Sequence, residues 1–154
     1  MFCVNALINK LNILCITPTG SGKSAVFFVF ALCVKKMSPK SLVVVGMPLS
    51  MLIAEQHGNS FGVPVLTLTM GAKMKGTVVE AQGEPTLSGR DLGDTAQQDV
   101  SLDEACSGHF GLLCGHPESF ASEPGQKILR KMSKEGMISG VMVDEVHQGK
   151  IDAF

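Results

Sequence analysis

The chain has 154 residues, which fits one domain of about 150 residues with a single hydrophobic core. Apolar residues make up 45% and charged residues 18%, a composition that excludes a wholly disordered chain. The formal net charge of −1 argues against a general polyanion-binding module, and the absence of Trp and Tyr excludes nucleic-acid stacking platforms built from those residues.

Cysteine usage and hydropathy point to an intracellular protein. The five cysteines have no Cys-x-x-Cys pair, and such an odd, scattered set predicts reduced core thiols and no zinc site. The longest apolar run, residues 25–34, is far shorter than the ~20 residues of a membrane-spanning helix. Polar residues interrupt the first 12 positions, so a signal peptide is not expected. We therefore expect a soluble, intracellular protein without a membrane partner.

Apolar runs alternate with helical patterns along the chain. The predicted elements are, in order, a helix over 5–12, a buried strand over 13–16, a Gly-rich turn over 17–22, a helix over 23–37, a strand over 42–45, a helix over 49–56, strands over 63–68 and 110–114, a helix over 126–134 and a strand over 140–143. Such alternation predicts an α/β domain with a mainly parallel sheet and helices on both faces.

Residues 71–108 interrupt this alternation. Between Glu80 and Glu104 there are seven acidic residues and one basic residue, Arg90. Because a loop of this length is uncommon in a compact domain, we predict a flexible acidic insertion there. Residues 1–70 contain five lysines and one glutamate, so the field near the amino-terminal half is more positive than the total charge indicates.

The strongest motif is TPTGSGKS at residues 17–24, between a predicted strand and a predicted helix. Glycines at 20 and 22 permit backbone N–H groups to surround a phosphate, and the following helix adds its positive end. Lys23 would reach the β- and γ-phosphates of ATP, and the Ser24 hydroxyl would bind Mg²⁺. The predicted nucleotide-binding residues are Thr19, Gly20, Ser21, Gly22, Lys23 and Ser24. The alternative is a Gly-rich turn with a surface lysine.

A second motif, GVMVDEVH at residues 140–147, is an apolar strand that ends in two acids. Asp144 would hold Mg²⁺, and Glu145 would orient and deprotonate the attacking water. His147 is a candidate sensor of the γ-phosphate. The predicted catalytic residues are Lys23, Glu145 and His147. The alternative is a strand that simply ends in solvent.

These motifs, with two between them, resemble the RecQ-like branch of the superfamily 2 DNA helicases. Residues 17–24 resemble motif I of that branch, and residues 43–49 with Leu52, Glu55 and Gln56 resemble motif Ia. Residues 112–118 resemble its Thr-Pro-Glu segment, with His116 in place of Thr, and DEVH at 144–147 is similar to its DExH box. The four occur in the family's order and cover residues 13–147.

The resemblance implies a three-layer RecA-like P-loop domain that binds ATP and Mg²⁺. It implies contacts with the backbone phosphates of single-stranded DNA through Pro48, Leu49, Ser50, Pro117, Glu118 and Ser119. It also implies 3′–5′ translocation, a role in DNA repair and recombination, a nuclear location in a eukaryote, and a second RecA-like lobe that this sequence does not include. Hydrolysis is expected to need that lobe.

Two alternatives to a helicase ATP-binding domain remain open. The first is a nucleotide-binding fragment without helicase activity, and the second is a P-loop ATPase of another family. A different P-loop ATPase, such as a secretion-type motor, shares PTGSGKS but normally has Gly at the position of Thr17 and no Asp-Glu-x-His box.

Overall fold

A computed structural model describes residues 2–16, 22–47, 61–77 and 97–144, without the side chains of Thr77 and Gln97. The helices in these ranges are α1 Phe2–Ile8, α2 Lys23–Met37, α3 Leu102–Ala105, α4 Pro117–Ala121 and α5 Glu123–Lys134. The strands are β1 Leu42–Gly46, β2 Val65–Leu68, β3 Met74–Thr77, β4 Gln97–Val100, β5 Leu112–Gly115 and β6 Ile138–Val143. Among the described helices, none has the length and apolar character needed to cross a membrane.

The described strands form one sheet in the order β4-β3-β2-β5-β1-β6. The pairs β2·β5, β5·β1 and β1·β6 are parallel, whereas β2·β3 and β3·β4 are antiparallel. The prediction of an α/β fold with a mainly parallel sheet is therefore confirmed. The helix predicted over residues 49–56 lies outside the described residues.

The strand β1 shows why the sequence produces a sheet covered on both faces. All five of its residues are buried, and they alternate between two hydrophobic cores. Val43 and Val45 face a core with α2 residues such as Phe30, while Leu42 and Val44 face a core with Met132 of α5. A continuous apolar run is the pattern of a parallel strand buried on both sides. The result is a three-layer α/β/α arrangement.

The buried strand predicted over residues 13–16 is wrong. This segment has no regular secondary structure, and Leu14 and Ile16 are 75% and 87% exposed. Within the described residues, β6 pairs with β1 alone, and Val141 and Val143 of β6 are also exposed. The apolar run therefore lies near the edge of the sheet without joining it.

Residues 71–108 also differ from the expected insertion. Their described parts contain β3 and β4, which extend the sheet, and α3. The side chain of Asp103 on α3 accepts a hydrogen bond from Lys131 Nζ on α5 at 2.6 Å. That hydrogen bond lowers the pKa of Asp103 and raises the pKa of Lys131. The two ends of this stretch are thus part of the domain, and residues 78–96 lie outside the described residues.

Helix α5 packs closely on α4, and Gly125 makes this possible. A Cβ atom at position 125 would lie 2.0 Å from the carbonyl oxygen of Ser119, a backbone atom with little freedom to move. The amide of Gly125 also donates a hydrogen bond to the Oγ of the N-cap residue Ser122 at 3.1 Å. The small residue therefore sets the distance between the two helices.

We expect Gly125→Ala to destabilise the domain by about 1–3 kcal/mol, because the clash must separate α4 from α5. The helix propensity of alanine offsets roughly 1 kcal/mol at most. Urea-induced unfolding followed by circular dichroism measures this difference. The matched control is Gly71→Ala, since a Cβ atom there would meet no atom within 4 Å. Equal unfolding midpoints for the two variants would show that the α4–α5 contact is not tight.

Candidate functional site

The carboxyl ends of three parallel strands meet at one edge of the sheet. The register of β1 aligns Gly46 with Gly115 of β5 and with Val143 of β6. The amide of Met47 donates to the Gly115 oxygen at 3.0 Å, and the amide of Asp144 donates to the Gly46 oxygen at 2.8 Å. Asp144 directly follows β6, so it is held at the edge where open α/β sheets bind ligands.

The start of α2 supplies positive charge. Gly22, the N-cap, has left-handed backbone angles (φ 80°, ψ 23°) that cost an L-residue about 1–2 kcal/mol. Lys23 is the first residue of the helix, so its ammonium group is carried by the end with the positive partial charge of the helix dipole. Such an end suits an anionic ligand.

One cavity of about 330 Å³ brings these two features together. Lys23 and Asp144 both line it, although they come from distant parts of the chain. The sequence predicts this convergence. Asp144 reaches the cavity as predicted, after the carboxyl end of a parallel strand, whereas Lys23 reaches it without the strand predicted at residues 13–16. Ser24 is the second residue of α2 and is half-buried.

The rest of the cavity wall is mainly apolar. Its apolar residues come from α1, residues 11–15, α2 and β6: Leu7, Leu11, Ile13, Leu14, Val26, Phe27, Val141, Met142 and Val143. Charges act more strongly on a ligand in such surroundings than in water. The contribution of α1 was not predicted, because its residues carry no motif and only their packing brings them to the cavity.

Two thiols lie on the same wall. The Cys3 thiol donates a hydrogen bond to Cys15 Sγ at 3.9 Å, and both residues line the cavity. This hydrogen bond, followed by desolvation, raises the pKa of Cys3. Cys15 is exposed, and among the five free cysteines only Cys114 is buried. The expectation of core thiols is therefore wrong for Cys15.

The predicted nucleic-acid residues at 117–119 start helix α4, directly after β5. His116 is the N-cap, and its Nδ1 accepts a hydrogen bond from the amide of Glu118 at 3.4 Å. Pro117 is half-buried and Glu118 is exposed, but Ser119 is only 1% exposed. The hydroxyl of Ser119 contacts Met70 Sδ at 3.5 Å, and its amide donates to His116 O at 2.9 Å. The polar groups of Ser119 are thus engaged inside the domain, and its role as a direct nucleic-acid contact stays a prediction.

Several predicted site residues lie outside the described residues. They are Thr19, Gly20 and Ser21 of the phosphate loop, Pro48, Leu49 and Ser50 of the second motif, and Glu145 and His147 of the last motif. Their roles stay predictions.

The three-layer fold and the cavity at its carboxyl edge define a RecA-like α/β domain. The family model for the DEAD/DEAH box helicase matches residues 2–150 of the chain. The chain therefore belongs to the DEAD/DEAH box helicases and is an ATP-binding domain of helicase type. Searches of curated proteins and of solved structures gave no match.

Proposed function

We propose that this chain is the first RecA-like domain of a RecQ-like DNA helicase that moves 3′–5′ on single-stranded DNA. The observation that supports this proposal most is the cavity lined by both Lys23 and Asp144. An ammonium group and a carboxylate at the carboxyl edge of the sheet suit a nucleoside triphosphate with its metal ion. RecQ identity and polarity rest on the resemblance of the motifs.

The residues along the cavity fit ATP and Mg²⁺ by their chemistry. The ammonium of Lys23 and the amides at the start of α2 would bind the phosphates, together with Thr19, Gly20 and Ser21. The Ser24 hydroxyl and the Asp144 carboxylate are the hard oxygen ligands that Mg²⁺ prefers. When bound, Mg²⁺ neutralises charge that develops on the phosphate oxygens.

Hydrolysis requires groups that move a proton and stabilise charge. Glu145 would accept the proton of the attacking water, and His147 would respond to the state of the γ-phosphate. A second RecA-like lobe would supply an arginine finger, which is worth ~10³–10⁵ in rate. We therefore expect the chain by itself to bind ATP and to turn it over slowly.

Single-stranded DNA would bind through its phosphates along the same edge of the sheet. Pro48, Leu49 and Ser50 are proposed contacts, together with Pro117 and Glu118 at the start of α4. Contacts of this kind position a strand without reading its bases. A role in DNA repair and recombination, and a nuclear location in a eukaryote, follow from the same resemblance.

Nucleotide titration and turnover assays test the proposal. We expect the purified chain to bind ATP more tightly with Mg²⁺ than with a chelator, and to bind single-stranded DNA at least as well as RNA of equal length. No ATP binding with Mg²⁺ present would contradict the proposed function. Rapid turnover stimulated by single-stranded DNA, near that of a two-lobe helicase, would instead contradict the expected need for a second lobe.

A further inference from the structure

Cys3 and Cys15 are two thiols on the cavity wall that the proposed ATP chemistry does not use. Their Sγ atoms lie 3.9 Å apart, in contact through a hydrogen bond, whereas a disulfide requires ~2.05 Å. Cys3 belongs to α1, and Cys15 belongs to residues 11–16, which form neither helix nor strand. Because residues 12–16 lie outside any helix or strand, a side-chain rotation with a small backbone shift can close the gap.

The exposure of the two residues gives the reaction a direction. Cys15 is exposed, whereas Cys3 is partly buried. A small disulfide in solution therefore meets the Cys15 sulfur first. The neighbouring Cys3 sulfur is then close enough to attack the mixed disulfide before a second molecule arrives.

We propose that Cys3 and Cys15 form a redox-active pair. A low-molecular-weight disulfide such as oxidised glutathione oxidises this pair to an intrachain disulfide. The Cys15 thiolate attacks one glutathione sulfur, which forms a mixed disulfide and releases one glutathione thiolate. The Cys3 thiolate then attacks Cys15 Sγ, forms the intrachain bond and releases the second glutathione. Two cysteine thiols are oxidised and one oxidised glutathione is reduced; the two protons lost by the cysteines are taken up, through solvent, by the two glutathione thiolates.

The bond would form on the wall of the cavity that Lys23 and Asp144 also line. It would link α1 to the residues just before the phosphate loop and so restrict the wall of the cavity. A consequence, which rests on the proposed function, is that oxidation lowers the affinity for ATP and that dithiothreitol restores it.

Peptide mapping of the full chain tests the disulfide without any nucleotide. The chain is equilibrated with graded ratios of oxidised to reduced glutathione, free thiols are alkylated, and the protein is digested with trypsin. Cleavage after Lys10 and Lys23 puts the two cysteines on separate peptides. We expect one cross-linked pair, residues 1–10 joined to 11–23, which is lost after reduction. Recovery of the two peptides as separate glutathione adducts, or a cross-link between two chains, would overturn the proposal.

Two variants complete the test. Cys3→Ser should abolish the cross-link and leave Cys15 as a glutathione adduct, whereas Cys33→Ser on α2 should retain it. ATP titrations of reduced and oxidised chain then examine the consequence for the cavity. Equal affinity of the two forms would contradict the effect on the cavity. Absence of binding by both forms would contradict the proposed function but leave the disulfide result intact.

Discussion

Replacement of Lys23 by alanine should lower the affinity of the chain for ATP–Mg²⁺ by about 100-fold or more. A hydrogen bond to a charged group contributes ~1.5–3 kcal/mol, and this lysine is proposed to reach two phosphates in a mainly apolar cavity. Each 1.4 kcal/mol corresponds to about a tenfold change in affinity. Isothermal titration with a slowly hydrolysed ATP analogue measures the loss.

The control for this experiment is Lys36→Ala. Lys36 lies in the last turn of the same helix and is exposed. The Lys36→Ala substitution removes the same charge and the same type of side chain as Lys23→Ala, but at the opposite end of the helix. The thermal midpoint of each variant reports whether the fold is retained. Unchanged ATP affinity in a folded Lys23→Ala variant would contradict the assignment of the phosphate site.

The position of Asp144 at the cavity could be predicted from sequence because of a topological rule. Buried parallel strands appear as continuous apolar runs, as in β1 and β5, and their carboxyl ends share one edge. A polar residue directly after such a run is therefore placed without knowledge of side-chain packing. This rule covers Asp144 but says nothing about α1, which reaches the cavity only through tertiary contacts.

The antiparallel strands β3 and β4 could not be predicted in the same way. Their sequences, MKGT and QQDV, contain few apolar residues. Strands near a sheet edge gain much of their stability from backbone pairing with distant residues, and backbone pairing leaves no composition signal. The acidic character of the surrounding residues therefore concealed β3 and β4, which pair with each other although they are far apart in the sequence.

The prediction of a buried strand at residues 13–16 is wrong for the opposite reason: the sequence pattern is present but the pairing is not. Four consecutive apolar residues indicate a buried strand by pattern, but burial also requires a partner edge. In the structure Leu14 and Ile16 stay exposed, and residues 13–15 line the cavity instead. Periodicity thus identifies what a segment is able to form, while tertiary contacts decide whether it forms.

Glu145→Gln is expected to separate binding from hydrolysis. Glutamine has nearly the size and shape of glutamate, so the phosphate site formed around Lys23 should bind ATP within about threefold of the parent chain. The amide cannot accept a proton from water, and loss of a general base costs ~10²–10⁴ in rate. Single-turnover measurements with the protein in excess over labelled ATP detect this loss even when steady-state turnover is slow.

The matched control is Glu123→Gln. Glu123 lies on α5, where its carboxylate forms an exposed ion pair with Lys127 at 2.8 Å. This variant makes the same change from carboxylate to amide at a residue that does not line the cavity, so it should keep both binding and hydrolysis. If Glu145→Gln instead loses affinity to the extent expected of Lys23→Ala, Glu145 acts in forming the site and not in proton transfer. Because the two substitutions are expected to affect different steps, their comparison distinguishes a phosphate-binding cavity from one that also performs the chemistry.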